Sequence, residues 1–267
     1  MKSVQELMSL SGRVAAVTGG GGHIGRALCD ALAELGAGVV VVDVQEQACG
    51  EVADRLHEHY GVPSSGLAVD LAVESQTRSI CTRVLDHFGR LDILVNCAAF
   101  VGTSERQGWC TEFASQSSEA WRLAHELNLT VPFLLAQTCA EALGQHGVGS
   151  VINVASIYGL VGPDLRLYEG TRLGNPAAYA ASKGGLLQLT RWLATVLAPR
   201  IRVNAITPGG IWRQQPEEFR QRYEVRCPLQ RMGSEEELKG AVGYLASDLA
   251  AYVTGHNLVV DGGWTAW

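Results

Sequence analysis

The 267-residue sequence contains no apolar run approaching the ~20 residues of a membrane-spanning helix. It has no Cys-x-x-Cys pair, no His-Glu-x-x-His and no Cys/His set at metal-ligand spacing, so no metal site is expected. His57-x-His59 reads as a pair on a polar helix face. Seven cysteines (29, 49, 81, 97, 110, 139 and 227) form an odd set, which fits reduced cytoplasmic thiols better than a disulfide framework. Lysine and arginine (21) are outnumbered by aspartate and glutamate (27) and form no run, which argues against a nucleic-acid partner. Residues Met1 to Met8 lack the apolar core and small-residue cleavage site of a secretory leader. What remains is a cytoplasmic chain, 47% hydrophobic, of a length that one α/β domain reaches. It shows no linker, repeat or low-complexity segment.

Arg13 to Thr18 is a short apolar run and predicts a buried strand. The turn Gly19-Gly20-Gly21-Gly22 follows, then a helical pattern from His23 to Leu35 stopped by Gly36. A second buried strand, Gly38 to Val42, ends at Asp43, 24 positions after Gly19. Strand, glycine turn, helix, strand and acid in this order form a dinucleotide site. Glycine lets the backbone approach a pyrophosphate, and the helix N-terminus offers free N–H groups. Asp43 can take both hydrogens of an adenosine ribose diol. It repels a 2′-phosphate by about 4 kcal/mol per unit charge at ~4 Å and an effective dielectric of ~20, so NAD is the expected cofactor.

The alternation continues with a helix from Gln45 to Tyr60, a strand from Ser65 to Val69 ending at Asp70-Leu71, a helix from Val73 to Phe88, and a strand from Leu91 to Val95 closed by Asn96. Nearly continuous apolar strands between helices predict a doubly wound, Rossmann-type parallel sheet with helices on both faces, in a single domain over 1–267. Ligands sit beyond the carboxyl ends of such strands, where Gly19, Asp43, Asp70 and Asn96 all fall. Residues 100–118 read as irregular. A long helix from Glu119 to Leu143 carries Asn128 and a kinking Pro132. A strand from Ser150 to Ala155 delivers Ser156. After it come a long loop (157–175), a helix, a strand from Arg200 to Thr207, a mixed segment (211–233) on the substrate side, a helix from Glu235 to Ser247 and a last strand from Asn257 to Val260.

The helix after the loop carries Tyr179-Ala180-Ala181-Ser182-Lys183, which sets a phenol and an ammonium one turn apart on one face. Lowering a phenol from a pKa of about 10 toward neutrality requires roughly 3–4 kcal/mol. A unit charge ~4–5 Å away at an effective dielectric near ~20 supplies about that much. The pair can therefore exchange protons near neutral pH.

Taken together, these residues resemble the short-chain dehydrogenase/reductase superfamily over nearly the whole chain. Thr18-Gly19-x-x-x-His23-Ile24-Gly25 resembles its glycine-rich turn, with Gly22 beside it. Asn96-Cys97-Ala98-Ala99 resembles its Asn-Asn-Ala-Gly segment, and Pro208-Gly209 its nicotinamide-side turn. Asn128, Ser156, Tyr179 and Lys183 match its catalytic tetrad. The resemblance implies hydride transfer between NAD(H) and a secondary alcohol or ketone. Tyr179 would exchange the proton and Ser156 would hold the substrate oxygen. Lys183 would lower the tyrosine pKa and bind the nicotinamide ribose, and Asn128 would hold a water. Asp70 and Leu71 would border the adenine, Asn96 and Ala98 the adjoining ribose, and Pro208, Gly209 and Ile211 the nicotinamide.

Three departures stand out. His23 replaces the middle glycine, and Cys97 and Ala99 replace the usual Asn and Gly. Arg213 stands where the family has a threonine after its Pro-Gly turn. Ser156 and Tyr179 are 23 positions apart, a long interval for the family, and a loop of that length is usually functional. The insert and the ending Asp-Gly-Gly-Trp264-Thr265-Ala266-Trp267 resemble a bacterial subgroup associated with sugar and surface-glycan modification. A polar sugar or polyol derivative is therefore the expected substrate, with Arg166, Arg172 and Arg213 as candidate contacts. Two rivals are a 3-oxoacyl-thioester reductase and a non-catalytic NAD-sensing or scaffold protein. Trp121, Trp192, Trp264 and Trp267 are candidate interface residues for the dimer or, preferably, the homotetramer that the resemblance implies.

Overall fold

The computed structural model describes residues 1–101, 106–147 and 149–267. Residues 102–105 of the irregular stretch, and Val148, lie outside that description. Seven strands, β1 Val14–Thr18, β2 Gly38–Asp43, β3 Ser64–Ala68, β4 Ile93–Asn96, β5 Gly149–Val154, β6 Ile201–Pro208 and β7 Asn257–Val260, form one sheet. Their order is β3-β2-β1-β4-β5-β6-β7, with every neighbouring pair parallel. The expected doubly wound architecture is thus the observed one.

The helices are α1 Val4–Met8, α2 His23–Glu34, α3 Glu46–Tyr60, α4 Glu74–Phe88, α5 Ser118–His125, α6 Val131–Gly144, α7 Ala177–Leu197, α8 Glu217–Arg226 and α9 Lys239–Ala246. Strand residues alternate between the two sheet faces. Ala15, Val17, Val39 and Val41 pack with Leu28 and Leu32 of α2, Leu56 of α3 and Leu245 of α9. Val14, Ala16, Val40 and Val42 pack with Ile80 of α4, Leu135 of α6 and Leu193 of α7. Both faces are dry, which is why these strands read as unbroken apolar runs. Asp92, an acid beside β4, is tolerated because it accepts from the Val14 amide (2.8 Å) and from Arg90 (2.7 and 2.8 Å).

Two expectations change. The single helix expected over Glu119–Leu143 is two helices joined by a π-helical segment, Glu126–Thr130. Pro132 lacks the amide that would continue an α-helix back to Asn128, and it sits in the first turn of α6, where that loss is tolerated. Trp264 is no surface residue: it is buried and stacks on Tyr223, with centroids 4.4 Å apart. Trp121, Trp192 and Trp267 are exposed. Among the described residues no helix is long and apolar enough to cross a membrane.

Candidate active site

Chain direction across the sheet reverses between β1 and β4, and a crevice opens beyond their carboxyl ends. It holds a cavity of about 660 Å³. Gly19, with φ of +66°, turns the chain out of β1. A Cβ there would stand 2.8 Å from the Ala98 backbone, and one on Gly25 would stand 2.0 Å from the Gly19 carbonyl oxygen. Only glycine fits at either place. His23, by contrast, keeps an ordinary negative φ as the first residue of α2. The position needs no glycine, which explains the tolerated departure from the motif. This is a cradle into which a backbone-bound diphosphate fits.

Asp43 lines the cavity at the end of β2, where its carboxylate accepts from the amides of Gly21 (3.1 Å) and Val44 (2.8 Å). Gly22, Ile24, Asp70, Leu71, Ala98, Pro208, Gly209 and Ile211 also line it. Asn96 does not. It is buried and donates to Asn153 Oδ1 (2.8 Å), tying β4 to β5, so the cofactor contact expected of it is corrected; Cys97, Ala98 and Ala99 line the cavity there. Burial pushes the Cys97 thiol up to about 11, so it stays neutral, as a small apolar residue would.

Ser156 at the end of β5, and Tyr179 and Lys183 on α7, converge at the other end of the cavity. Lys183 is buried, its Nζ 5.9 Å from the Tyr179 ring centroid and donating to the Val154 carbonyl (2.7 Å). Burial pulls this lysine down to about 8. Burial also raises the Tyr179 phenol, against the opposing influence of the Ser156 hydroxyl bond and the Arg213 charge. The expectation that Lys183 alone holds the phenol low is corrected on this point: enclosure dominates, and Ser156 and Arg213 are the named offsets.

Asn128 lies behind the cavity with its side chain committed. It accepts from the Phe100 amide (2.7 Å) and donates to the Phe100 carbonyl (3.1 Å) and to Ser182 Oγ (3.0 Å).

The 157–175 loop borders the cavity as expected, but through Tyr158, Tyr168, Leu173, Gly174 and Asn175. Arg166 pairs with Asp164 and its side chain is 71% exposed; Arg172 is exposed as well. Neither lines the cavity, so the substrate role expected of both is corrected. Arg222 of α8 donates to the Arg166, Leu167 and Glu169 carbonyls, and Arg226 pairs with Asp164, so the loop is strapped to α8. Arg213 does line the cavity, with its Nε on Glu235 (2.9 Å). Phe219, Tyr223 and Met232 complete the wall. Sequence reasoning missed these three; the signal available was α8 itself, whose Phe219 and Tyr223 lie one turn apart.

Comparison with known proteins agrees with this geometry. A family model described as enoyl-(acyl carrier protein) reductase matches residues 21–265. A 3-oxoacyl-(acyl-carrier-protein) reductase of Aquifex aeolicus is 32% identical over 261 residues, covering 96% of this chain and 98% of the relative. The cis-4-hydroxycyclohexanecarboxylate dehydrogenase of Sinomonas cyclohexanicum is 36% identical over 259 residues, covering 95% and 97%. A gluconate 5-dehydrogenase from Burkholderia cenocepacia, solved in complex with NADP and tartrate, superposes with a TM-score of 0.87 at 29% identity, covering 99% and 100%.

Proposed function

Since the chain belongs to the short-chain dehydrogenase/reductase superfamily, we propose that it is an NAD(H)-dependent oxidoreductase interconverting a secondary alcohol and a ketone, on a polar sugar or polyol derivative. The observation that carries this reading is the meeting of Ser156, Tyr179 and Lys183 in one cavity whose far end is marked by Asp43. A nicotinamide dinucleotide, when bound, supplies the hydride acceptor or donor. Gly19, Gly22, His23, Ile24 and Gly25 would follow its diphosphate, Asp43 its adenosine ribose, Asp70 and Leu71 its adenine, and Pro208, Gly209 and Ile211 its nicotinamide end. In oxidation the Tyr179 phenolate, its own proton already passed on toward Lys183 and solvent, would take the hydroxyl proton of the alcohol as hydride leaves the carbinol carbon; in reduction the neutral phenol would give that proton to the ketone oxygen. Ser156 holds the same substrate oxygen by a hydrogen bond. Lys183 would pass protons to and from the phenol, and Asn128 would hold the water that links it to solvent.

Asp43 supports NAD over NADP. Even half of the ~4 kcal/mol repulsion of a 2′-phosphate is a preference above tenfold. The gluconate 5-dehydrogenase bound to NADP is a family member with the other choice. A screen of NAD⁺ and NADP⁺ reduction across sugars, sugar acids and polyols tests the reading. Turnover with NADP⁺ alone would contradict the cofactor choice.

A second reading, 3-oxoacyl-thioester reduction, is favoured by the apolar wall of Leu173, Phe219 and Met232 and by the activity named for the Aquifex relative. Oxidation of NADPH by acetoacetyl-coenzyme A, faster than any alcohol reaction, would select it. In either reading the exposed Trp192 and Val196 of α7 support assembly through that helix into a homotetramer or homodimer.

A further inference from the structure

Tyr223 of α8 stands against the Pro208-Gly209-Gly210 turn at the end of β6, and its phenol oxygen accepts from the Gly210 amide (2.7 Å). A Cβ on Gly210 would stand 2.7 Å from the Tyr223 ring, and one on Gly209 would stand 2.9 Å from its hydroxyl. The turn is two glycines because the phenol occupies the space a side chain would need. Two consecutive glycines also leave the main chain many conformations to choose from. The Gly209 amide is tethered to the Val260 carbonyl (2.9 Å), and the Gly210 carbonyl accepts from the Gly233 amide (2.9 Å). The Gly210 amide is the remaining tether, and a side chain answers it.

Tyr223 is itself fixed from behind. It is buried, and the Trp264 indole lies on its ring with centroids 4.4 Å and planes 13° apart. Trp264 belongs to the turn after β7. The Asp261 carboxylate closes that turn by accepting from the Gly263 and Thr265 amides (both 2.8 Å) and from the Thr265 hydroxyl (2.7 Å). We propose that Tyr223, backed by Trp264, is a positioning residue for the nicotinamide end of the cofactor. The inference rests on the proposed function for one point, that the nicotinamide lies against Pro208, Gly209 and Ile211. Tyr223 acts through the main chain. Holding the Gly210 amide keeps the two-glycine turn in one conformation, so binding does not have to select it from several. The diphosphate cradle and Asp43 come from β1, α2 and β2, and among the described residues they share no hydrogen bond with Tyr223 or Trp264. Only one end of the dinucleotide should therefore feel the aromatic pair.

The test is calorimetric binding to the full chain of NADH and of ADP-ribose, which lacks the nicotinamide. Tyr223→Phe keeps the ring on Trp264 and removes the acceptor. It is expected to weaken NADH about fivefold, the scale of one neutral hydrogen bond, while ADP-ribose changes by less than about twofold. Trp264→Leu is expected to give the same split, and Trp264→Phe, which restores an aromatic face, to reduce it. Wild-type affinity for NADH in Tyr223→Phe or Trp264→Leu overturns the inference. An equal loss for NADH and ADP-ribose overturns it as well, since that marks a general loosening. A wild type that binds ADP-ribose as tightly as NADH holds no nicotinamide at the turn, which ends the inference and leaves the dinucleotide cradle standing. A wild type that binds neither ligand refutes the proposed cofactor, and the inference with it.

Discussion

Pro132 stands four residues beyond Asn128 and so withholds the one amide that an α-helix would have offered to the Asn128 carbonyl. The helix opens into a π segment at that point, and the Asn128 side chain is consumed by Phe100 and Ser182. Asn128 is thereby tied both to the loop after β4 and to α7. Pro132→Ala returns the missing donor. Its expected effect is a fall in kcat of about tenfold at unchanged cofactor affinity, with a thermal midpoint equal to or above wild type, since proline is poorly suited to a helix. Steady-state kinetics and thermal melts check it; an unchanged kcat would detach the π segment from the chemistry.

Lys183 is buried and its pKa lies at about 8 against an ordinary 10.5. Between those two values the unfolded chain binds a proton that the folded chain has already released, so stability rises with pH across that window. Below it the full cost of the buried ammonium is borne. Lys183→Met is therefore expected to stabilise the fold at neutral pH by up to about 3 kcal/mol and to flatten that rise, while abolishing turnover. Urea unfolding at several pH values measures both.

Asp43→Ala is expected to narrow the preference for NAD⁺ over NADP⁺ by at least about tenfold in kcat/KM, through removal of the repelling charge. The comparison of both cofactors in wild type and variant checks it.

Arg166 and Arg172 lie outside the cavity, and Arg166 is spent on Asp164. Alanine at either position is expected to change kcat/KM by no more than about twofold, the scale of an ordinary surface substitution. Arg213→Ala is expected to cost more, because its charge opposes the burial that raises the Tyr179 phenol. Kinetics of the three variants on one substrate separates them.

The sheet was legible because both faces of each strand are covered, and a doubly buried parallel strand must be apolar throughout. The glycine turn at the end of β1 was legible because Gly19 needs a positive φ and Gly25 has no room for a Cβ, which are demands on residue type. The substrate wall was not. Tyr158, Tyr168 and Asn175 are brought together by short 3₁₀ turns, Ile157–Gly159 and Leu165–Tyr168, and by the arginine strap to α8. None of these leaves a periodic signal. The loop's arginines suggest substrate contacts, whereas a guanidinium two residues from an aspartate is answered locally, as Arg166 is by Asp164. Asn96 was misplaced for a related reason: a strand end faces either the ligand or the next strand, and the choice belongs to the tertiary partner, here Asn153.

The most direct measurement is alcohol-dependent reduction of NAD⁺ by wild type and by Tyr179→Phe, across polyols and sugar acids. Removal of a general acid–base group predicts a fall in kcat of about 10²–10⁴-fold with NADH binding intact. Equal rates in the two proteins, on any alcohol that is turned over, would contradict the account.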